Sequence, residues 1–119
     1  MLIEKIEPNF VFEDERGCIT QLVREGYKQV NFITSKKGVK RGGHYHKHNE
    51  EAFYIISGKM TLIAKKGNKE EVYRFEKGDM FNVLPNVFHS FEFEADTLLI
   101  SMYSLGVELP DGTKDIFVE

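Results

Sequence analysis

The sequence holds a single cysteine among 119 residues, so no internal disulfide can form and a disulfide-stapled scaffold is excluded. Cys18 then reads as a reduced structural residue of a cytoplasmic protein. Long apolar runs are also missing. No stretch approaches the roughly 18 apolar residues that a membrane helix needs. The amino-terminal MLIEKIEPNF lacks a basic end followed by an apolar run, so no signal peptide is expected. Only three prolines are present, with no repeat, low-complexity tract or Pro/Ser-rich linker. One domain over 1–119 is expected. Helical periodicity is nearly absent, which turns attention to strands.

What is present is a core. Hydrophobic residues make up 41% of the chain, including ten Phe and five Tyr, too many for a disordered segment. Short alternating or apolar runs bounded by turn residues recur throughout. They predict strands at 9–13, 18–24, 29–34, 43–46, 51–57, 59–65, 70–75, 80–84, 88–93 and 97–103. Turns fall at Glu15-Arg16-Gly17, Ser57-Gly58, Lys66-Gly67-Asn68 and Lys77-Gly78-Asp79. The run 59–75 reads as a hairpin, with Gly67-Asn68 supplying positive φ. Many short strands at close spacing predict an all-β sandwich or barrel. The tail 106–119 is less regular and fits a closing strand, a dimer arm or a frayed end.

The net charge of -3 argues against a general nucleic-acid binder. That average hides an asymmetry. From Gly26 to Asn49 there is no acidic residue, but there are five Lys, one Arg and three His. A solvated loop would carry such charges, and so would a local site for an anion such as a diphosphate.

Four residues in and after this stretch carry chemistry. Side chains two apart on a strand share a face, so His44 and His46 project together and Tyr45 projects away. Glu51 shares parity with Phe53 and Ile55, and His89 with Phe91 and Phe93. Ionisable groups among core-facing aromatics need partners, because their burial is costly. Three imidazoles and a carboxylate meeting inside a barrel suit Zn, Mn, Fe or Ni and leave positions open for a substrate.

The spacing Gly38, His44, His46, Glu51, Gly58 matches every fixed position of the first motif of the cupin family, G-x5-H-x-H-x(3,4)-E-x6-G. Gly78, Pro85 and His89 match the second motif loosely, with Val87 and Phe93 replacing its second Gly and its Asn. Together the motifs cover 38–93. The cupin resemblance implies a double-stranded β-helix, the jelly-roll barrel, and a metal site of His44, His46, Glu51 and His89.

Two further stretches, EDERG at 13–17 and QVNFITSKKGVKRGGHYH at 29–46, resemble the sugar-nucleotide cupins. The dTDP-4-dehydrorhamnose 3,5-epimerases and dTDP-4-keto-6-deoxyglucose 3,4-ketoisomerases share D-x-R-G and R-G-x-H, the His being catalytic. GGHYH followed by EEAFYIISGK is similar to the C-terminal cupin domain of the capsular UDP-sugar reductase, which holds a metal and epimerises a 4-keto sugar at C3. The ketoisomerases typically carry Gln where Glu51 stands, and an active-site Tyr near Asn31 or Phe32. The 3,5-epimerases carry Gln at His46 and are considerably longer. The complete metal set therefore fits the third relative best.

The resemblance implies an epimerase or isomerase of a nucleotide-linked 4-keto-6-deoxy sugar, working through a C3 enediolate in cell-surface polysaccharide synthesis. It implies catalytic roles for His44 and His46, and anion contacts for Arg16 and Arg41, whose guanidinium groups can grip phosphate bidentately. An imidazole bound to metal through its lone pair cannot also act as the base. His48, Glu50, Tyr54 and Tyr103 are available for a separate one, though parity turns Tyr54 away from Glu51. Two other readings compete: a metal-dependent cupin of other chemistry, such as a dioxygenase, and a non-catalytic sugar- or metal-binding cupin. A homodimer is expected, because small cupins commonly pair sheets and the strand before Gly17 has no obvious partner in a minimal barrel.

Overall fold

In the computed structural model the described residues are 1–118. The expectations for the tail and for a domain over 1–119 extend to Glu119, which lies outside them. Eleven strands and no helix are found among the described residues: β1 (Ile3–Ile6), β2 (Phe10–Asp14), β3 (Gly17–Gln21), β4 (Gln29–Ser35), β5 (Lys40–His44), β6 (Glu51–Ser57), β7 (Lys59–Lys66), β8 (Lys69–Glu76), β9 (Met80–Val83), β10 (Phe88–Phe93) and β11 (Thr97–Tyr103). Among the described residues no helix is long and apolar enough to cross a membrane.

A five-stranded sheet in the order β1-β9-β6-β11-β4 faces a four-stranded sheet in the order β5-β10-β7-β8. Every pairing between these strands is antiparallel. Alternation along the strands builds the core. Phe53 and Ile55 of β6, Phe81 and Val83 of β9 and Leu99 of β11 meet Leu62 of β7, Phe75 of β8, and Phe91 and Phe93 of β10. All are buried, and stacked rings join Phe53 to Phe81 and Phe81 to Phe75. The all-β expectation holds.

β6, β10 and β11 occupy the bounds the sequence predicts. The hairpin over 59–75 also holds: β7 and β8 pair from Lys59↔Glu76 to Lys66↔Lys69, leaving Gly67-Asn68 as the turn. Only Gly67 takes positive φ there, at 60°. β1 is not expected from the sequence. Its four residues, IEKI, are too short and too charged to signal a strand, yet Ile3 is buried and Glu4 accepts a hydrogen bond from Asn82.

As expected, the strand before Gly17 has no partner in the two facing sheets; β2 pairs instead with β3 in a separate two-stranded hairpin. Two further expectations are corrected. β3 ends at Gln21, because Leu22 and Val23 leave it to pack on Ala52, Met80 and Met102 of the outer sheet face. Cys18 is exposed on that hairpin, so it plays no part in the core. The tail folds back as a closing strap. Asp115 is fully buried, and Phe117 bridges Tyr45 in antiparallel fashion.

Candidate active site

The site forms where one end of the four-stranded sheet meets β6 and β11. β5 and β10 are neighbours, and His44 lies directly opposite His89. Gly42 allows this close approach. Its φ is 84°, and a Cβ there would sit 2.7 Å from the His89 carbonyl oxygen. β5 ends at His44, so the expected strand 43–46 is displaced toward its N-terminal side. The alternation nevertheless continues. Tyr45 turns to Phe117, and His46 returns to the interior with 2% exposure. Glu51, the first residue of β6, reaches in from the facing sheet on the side of Phe53 and Ile55, as parity predicts.

The four side chains converge. One ligand atom from each of His44, His46, Glu51 and His89 lies within 4.8 Å of the others. The His46 Nδ1–H donates to the Asp115 carbonyl at 2.6 Å, and the His89 Nδ1–H donates to the Val87 carbonyl at 3.0 Å. A carbonyl only accepts, so these bonds place a proton on each Nδ1; a ring with no second proton keeps its lone pair on Nε2, and a protonated His46 donates from Nε2 to Glu51. Both Nε2 atoms then face one carboxylate oxygen, Glu51 Oε1, at 3.1 and 3.4 Å. His89 Nε2 is buried without a hydrogen-bond partner. Acceptors aimed at a common point leave room only for a shared proton or a cation. Backbone-anchored imidazoles and a carboxylate are the donor set of a divalent transition metal. The residues present fit such an ion.

Burial and neighbours set the charges. Burial, and then the imidazoles of His89 and His46, push His44 down to about 4, so it is neutral at pH 7. Burial raises the Glu51 carboxyl, but His46 and His89 more than offset it and bring it down to about 2. Burial lowers His46, yet Glu51 and the Asp115 carbonyl outweigh that and raise it. Tyr103 is raised well above the usual phenol range, first by burial and then by Glu51.

A cavity of about 190 Å³ opens beside the cluster, lined by Arg41, Gly42, His44, Glu51, Phe53 and Tyr103 among others. Of the four base candidates, only Tyr103 lines it. His48 is exposed, Glu50 lies in the loop before β6, and Tyr54 packs on the outer face with Met80, as its parity requires. Tyr103 shares parity with buried Leu99, a signal the sequence carried for its inward direction.

Arg41 joins this cavity to a wider cleft of about 780 Å³ that also takes in Lys36 and Lys40. Its Nε donates to Ser35 Oγ at 2.8 Å and its Nη2 to the Thr34 carbonyl at 3.1 Å, spanning the gap between β5 and β4. Arg16 is not brought to the cluster within one chain. It caps the β2–β3 hairpin, donating to Asp14 Oδ2 through Nε at 3.0 Å and Nη2 at 2.6 Å, and it lines neither cavity.

Residues 12–104 match the model of the Polysaccharide biosynthesis C-terminal domain family. The chain belongs to this family. The matched stretch holds all four converging residues together with Arg41 and Tyr103. No curated protein is similar enough to count as a match. Solved structures share the fold of this Polysaccharide biosynthesis C-terminal domain. A 3,4-ketoisomerase from Helicobacter canadensis aligns with a TM-score of 0.83 at 16% identity, over 100% of this chain and 92% of that one. The sugar 3,4-ketoisomerase QdtA from Thermoanaerobacterium thermosaccharolyticum, in complex with TDP, aligns at 0.75 and 20% identity, over 87% and 80%. A dTDP-4-dehydrorhamnose 3,5-epimerase from Sulfolobus tokodaii aligns at 0.70 and 20% identity, over 94% and 80%. The cupin jelly roll implied by the sequence is thus the fold of the chain.

Proposed function

We propose that the chain is an epimerase or ketoisomerase of a nucleotide-linked 4-keto-6-deoxy sugar, acting by removal of the C3 proton in polysaccharide biosynthesis. The observation that carries this reading is the cavity itself. It sets a neutral imidazole, His44 of β5, and a protonated phenol, Tyr103 of β11, on walls formed by opposite sheets. The functions of the three structural neighbours and the family match agree with it.

A hydrogen next to a ketone is acidic, because the electron pair it leaves spreads onto the ketone oxygen. His44, on the cavity wall with its ring neutral, is placed to take the C3 proton and to return it. Tyr103 keeps its proton at neutral pH and donates it. Returning a proton to the opposite face of C3 gives the epimer, and returning it to C4 gives the 3-keto isomer. Arg41, with Lys36 and Lys40 in the adjoining cleft, holds the diphosphate.

We assign the divalent ion to His46, Glu51 and His89, which are buried and, for the two imidazoles, anchored on backbone carbonyls. When bound it supplies Lewis acidity toward a ketone oxygen. His44 is the more exposed imidazole, and it retains a lone pair for the proton only while the other three hold the ion. A cytoplasmic setting suits a nucleotide-sugar substrate and the free Cys18 thiol.

Two copies pair in this reading. β4 is an edge strand whose sequence, QVNFITS, carries no charge, and Val30 and Phe32 are 62% and 65% exposed. Phe10, Phe12 and Ile19 of the hairpin are exposed as well. The test of the function is exchange of the C3 hydrogen in D2O. Protein-dependent loss of that signal is expected, and its absence with every nucleotide-linked 4-keto-6-deoxy sugar tried contradicts the proposal.

A further inference from the structure

Asp115 lies beyond the stretch matched by the family model, in a tail that no motif marks. It is nevertheless fully buried. Its Oδ1 accepts the Lys47 N–H at 2.8 Å. Its Oδ2 accepts the N–H groups of His48 and Asn49 and the Asn49 side-chain amide, each at 2.9 Å. These donors come from the loop that connects His46 to Glu51. The Asn49 side chain closes the circuit: its Nδ2 donates to the Gly106 carbonyl, and its Oδ1 accepts from Leu105 and Gly106 at the start of the tail. The backbone carbonyl of Asp115 meets the Nδ1–H of His46 at 2.6 Å. Two residues on, Phe117 exchanges both backbone hydrogen bonds with Tyr45, stacks on its ring at 5.5 Å, and lies under Lys47 Nζ at 4.4 Å.

We propose that Asp115 is a positioning residue: by nesting its carboxylate in the backbone of residues 47–49, it holds its own carbonyl against Nδ1 of His46 and so aims Nε2 at Glu51. The proposal rests on the assignment of the histidine cluster as the working site. A carboxylate suits the nest because all four incoming groups are donors. An amide of equal size would turn an NH2 toward at least one of them. The loop would then shift, the Asp115 carbonyl would leave His46, and the ring would be free to rotate. Losing such an outer partner typically costs about ten- to a hundredfold in metal affinity.

The test compares wild type with Asp115→Asn in two readouts: the imidazole Nδ1–H proton resonances of the metal-free protein, and Zn(II) affinity by competition with a chelator. The His46 resonance is expected to be lost in Asp115→Asn while that of His89 persists, with Zn(II) affinity falling about ten- to a hundredfold. Met60→Ala removes a buried side chain on β7 and serves as the control for general destabilisation. It is expected to keep both properties. Retention of the His46 resonance and of wild-type affinity in Asp115→Asn overturns the proposal, as does equal loss of both in Met60→Ala. If Asp115→Asn does not fold, Asn49→Ala removes the side-chain donor of the same nest. A weakened His46 resonance then supports the proposal, and unchanged readouts overturn it. Wild type that displays the His46 resonance but takes up no zinc contradicts the metal assignment, and the resonance comparison still decides the role of Asp115.

Discussion

Glu51 Oε1 faces the Nε2 atoms of two imidazoles whose protons are already committed to backbone carbonyls. That single arrangement makes a cation or a shared proton necessary at the site, since buried acceptors cannot face each other without a donor. Across the cavity Tyr103 is the group able to supply one. Tyr103→Phe is expected to lower kcat by about a hundredfold or more, in the range of a lost positioned acid, with KM little changed. Steady-state kinetics on a nucleotide-linked 4-keto-6-deoxy sugar measures this, and an unchanged kcat removes Tyr103 from the mechanism. At this scale the sequence was informative wherever strand parity governs direction. His44, His46, Glu51 and His89 were legible from their spacing; Tyr103 stood unranked among four base candidates, although its parity with Leu99 carried the signal. Asp115 was not legible, because its importance comes from a fold-back over some 66 to 69 residues that no local pattern encodes.

β5 is the element on which the site depends most, and it is also the one the sequence displaced. The alternation of His44 and His46 suggested a strand through both. The structure ends the strand at His44, where the chain leaves β10 and Tyr45 pairs with Phe117 instead; the bulge against β10 lies upstream, where Gly42 and Gly43 take positive φ. The two glycines differ in a way that can be measured. Gly43, with φ of 79°, has open space where a Cβ would go, whereas a Cβ on Gly42 would lie 2.7 Å from the His89 carbonyl. Gly43→Ala is therefore expected to cost about 1 kcal/mol of backbone strain, and Gly42→Ala more, up to about 3 kcal/mol. Urea unfolding of the two variants checks the order. Equal stabilities would mean that the β5–β10 approach is not tight. β6 and β11 were legible to their ends because their apolar runs sit between clear turns. β1 was missed because only four residues, two of them charged, form it.

The whole molecule is two facing sheets with a hairpin and an uncharged edge strand left uncovered. The proposed pairing of two copies through these surfaces would give the exposed Val30 and Phe32 a partner. Phe32→Glu is expected to convert a dimer to a monomer by gel filtration with light scattering. Wild type that runs as a monomer at every concentration contradicts the pairing. The sequence indicated the two-sheet architecture through its alternation and its closely spaced turns. It did not indicate that β2 finds its partner in β3, because a hairpin standing apart from the barrel obeys the same alternation as one inside it. The central claim, that this cavity enolises a 4-keto sugar at C3, is tested most directly by proton NMR in D2O of a nucleotide-linked 4-keto-6-deoxy sugar with the purified, metal-loaded protein. The account predicts loss of the C3 hydrogen signal faster than in a protein-free control, with His44→Ala returning the rate to that control. Full retention of the signal across a panel of such sugars, with the metal site filled, would contradict it.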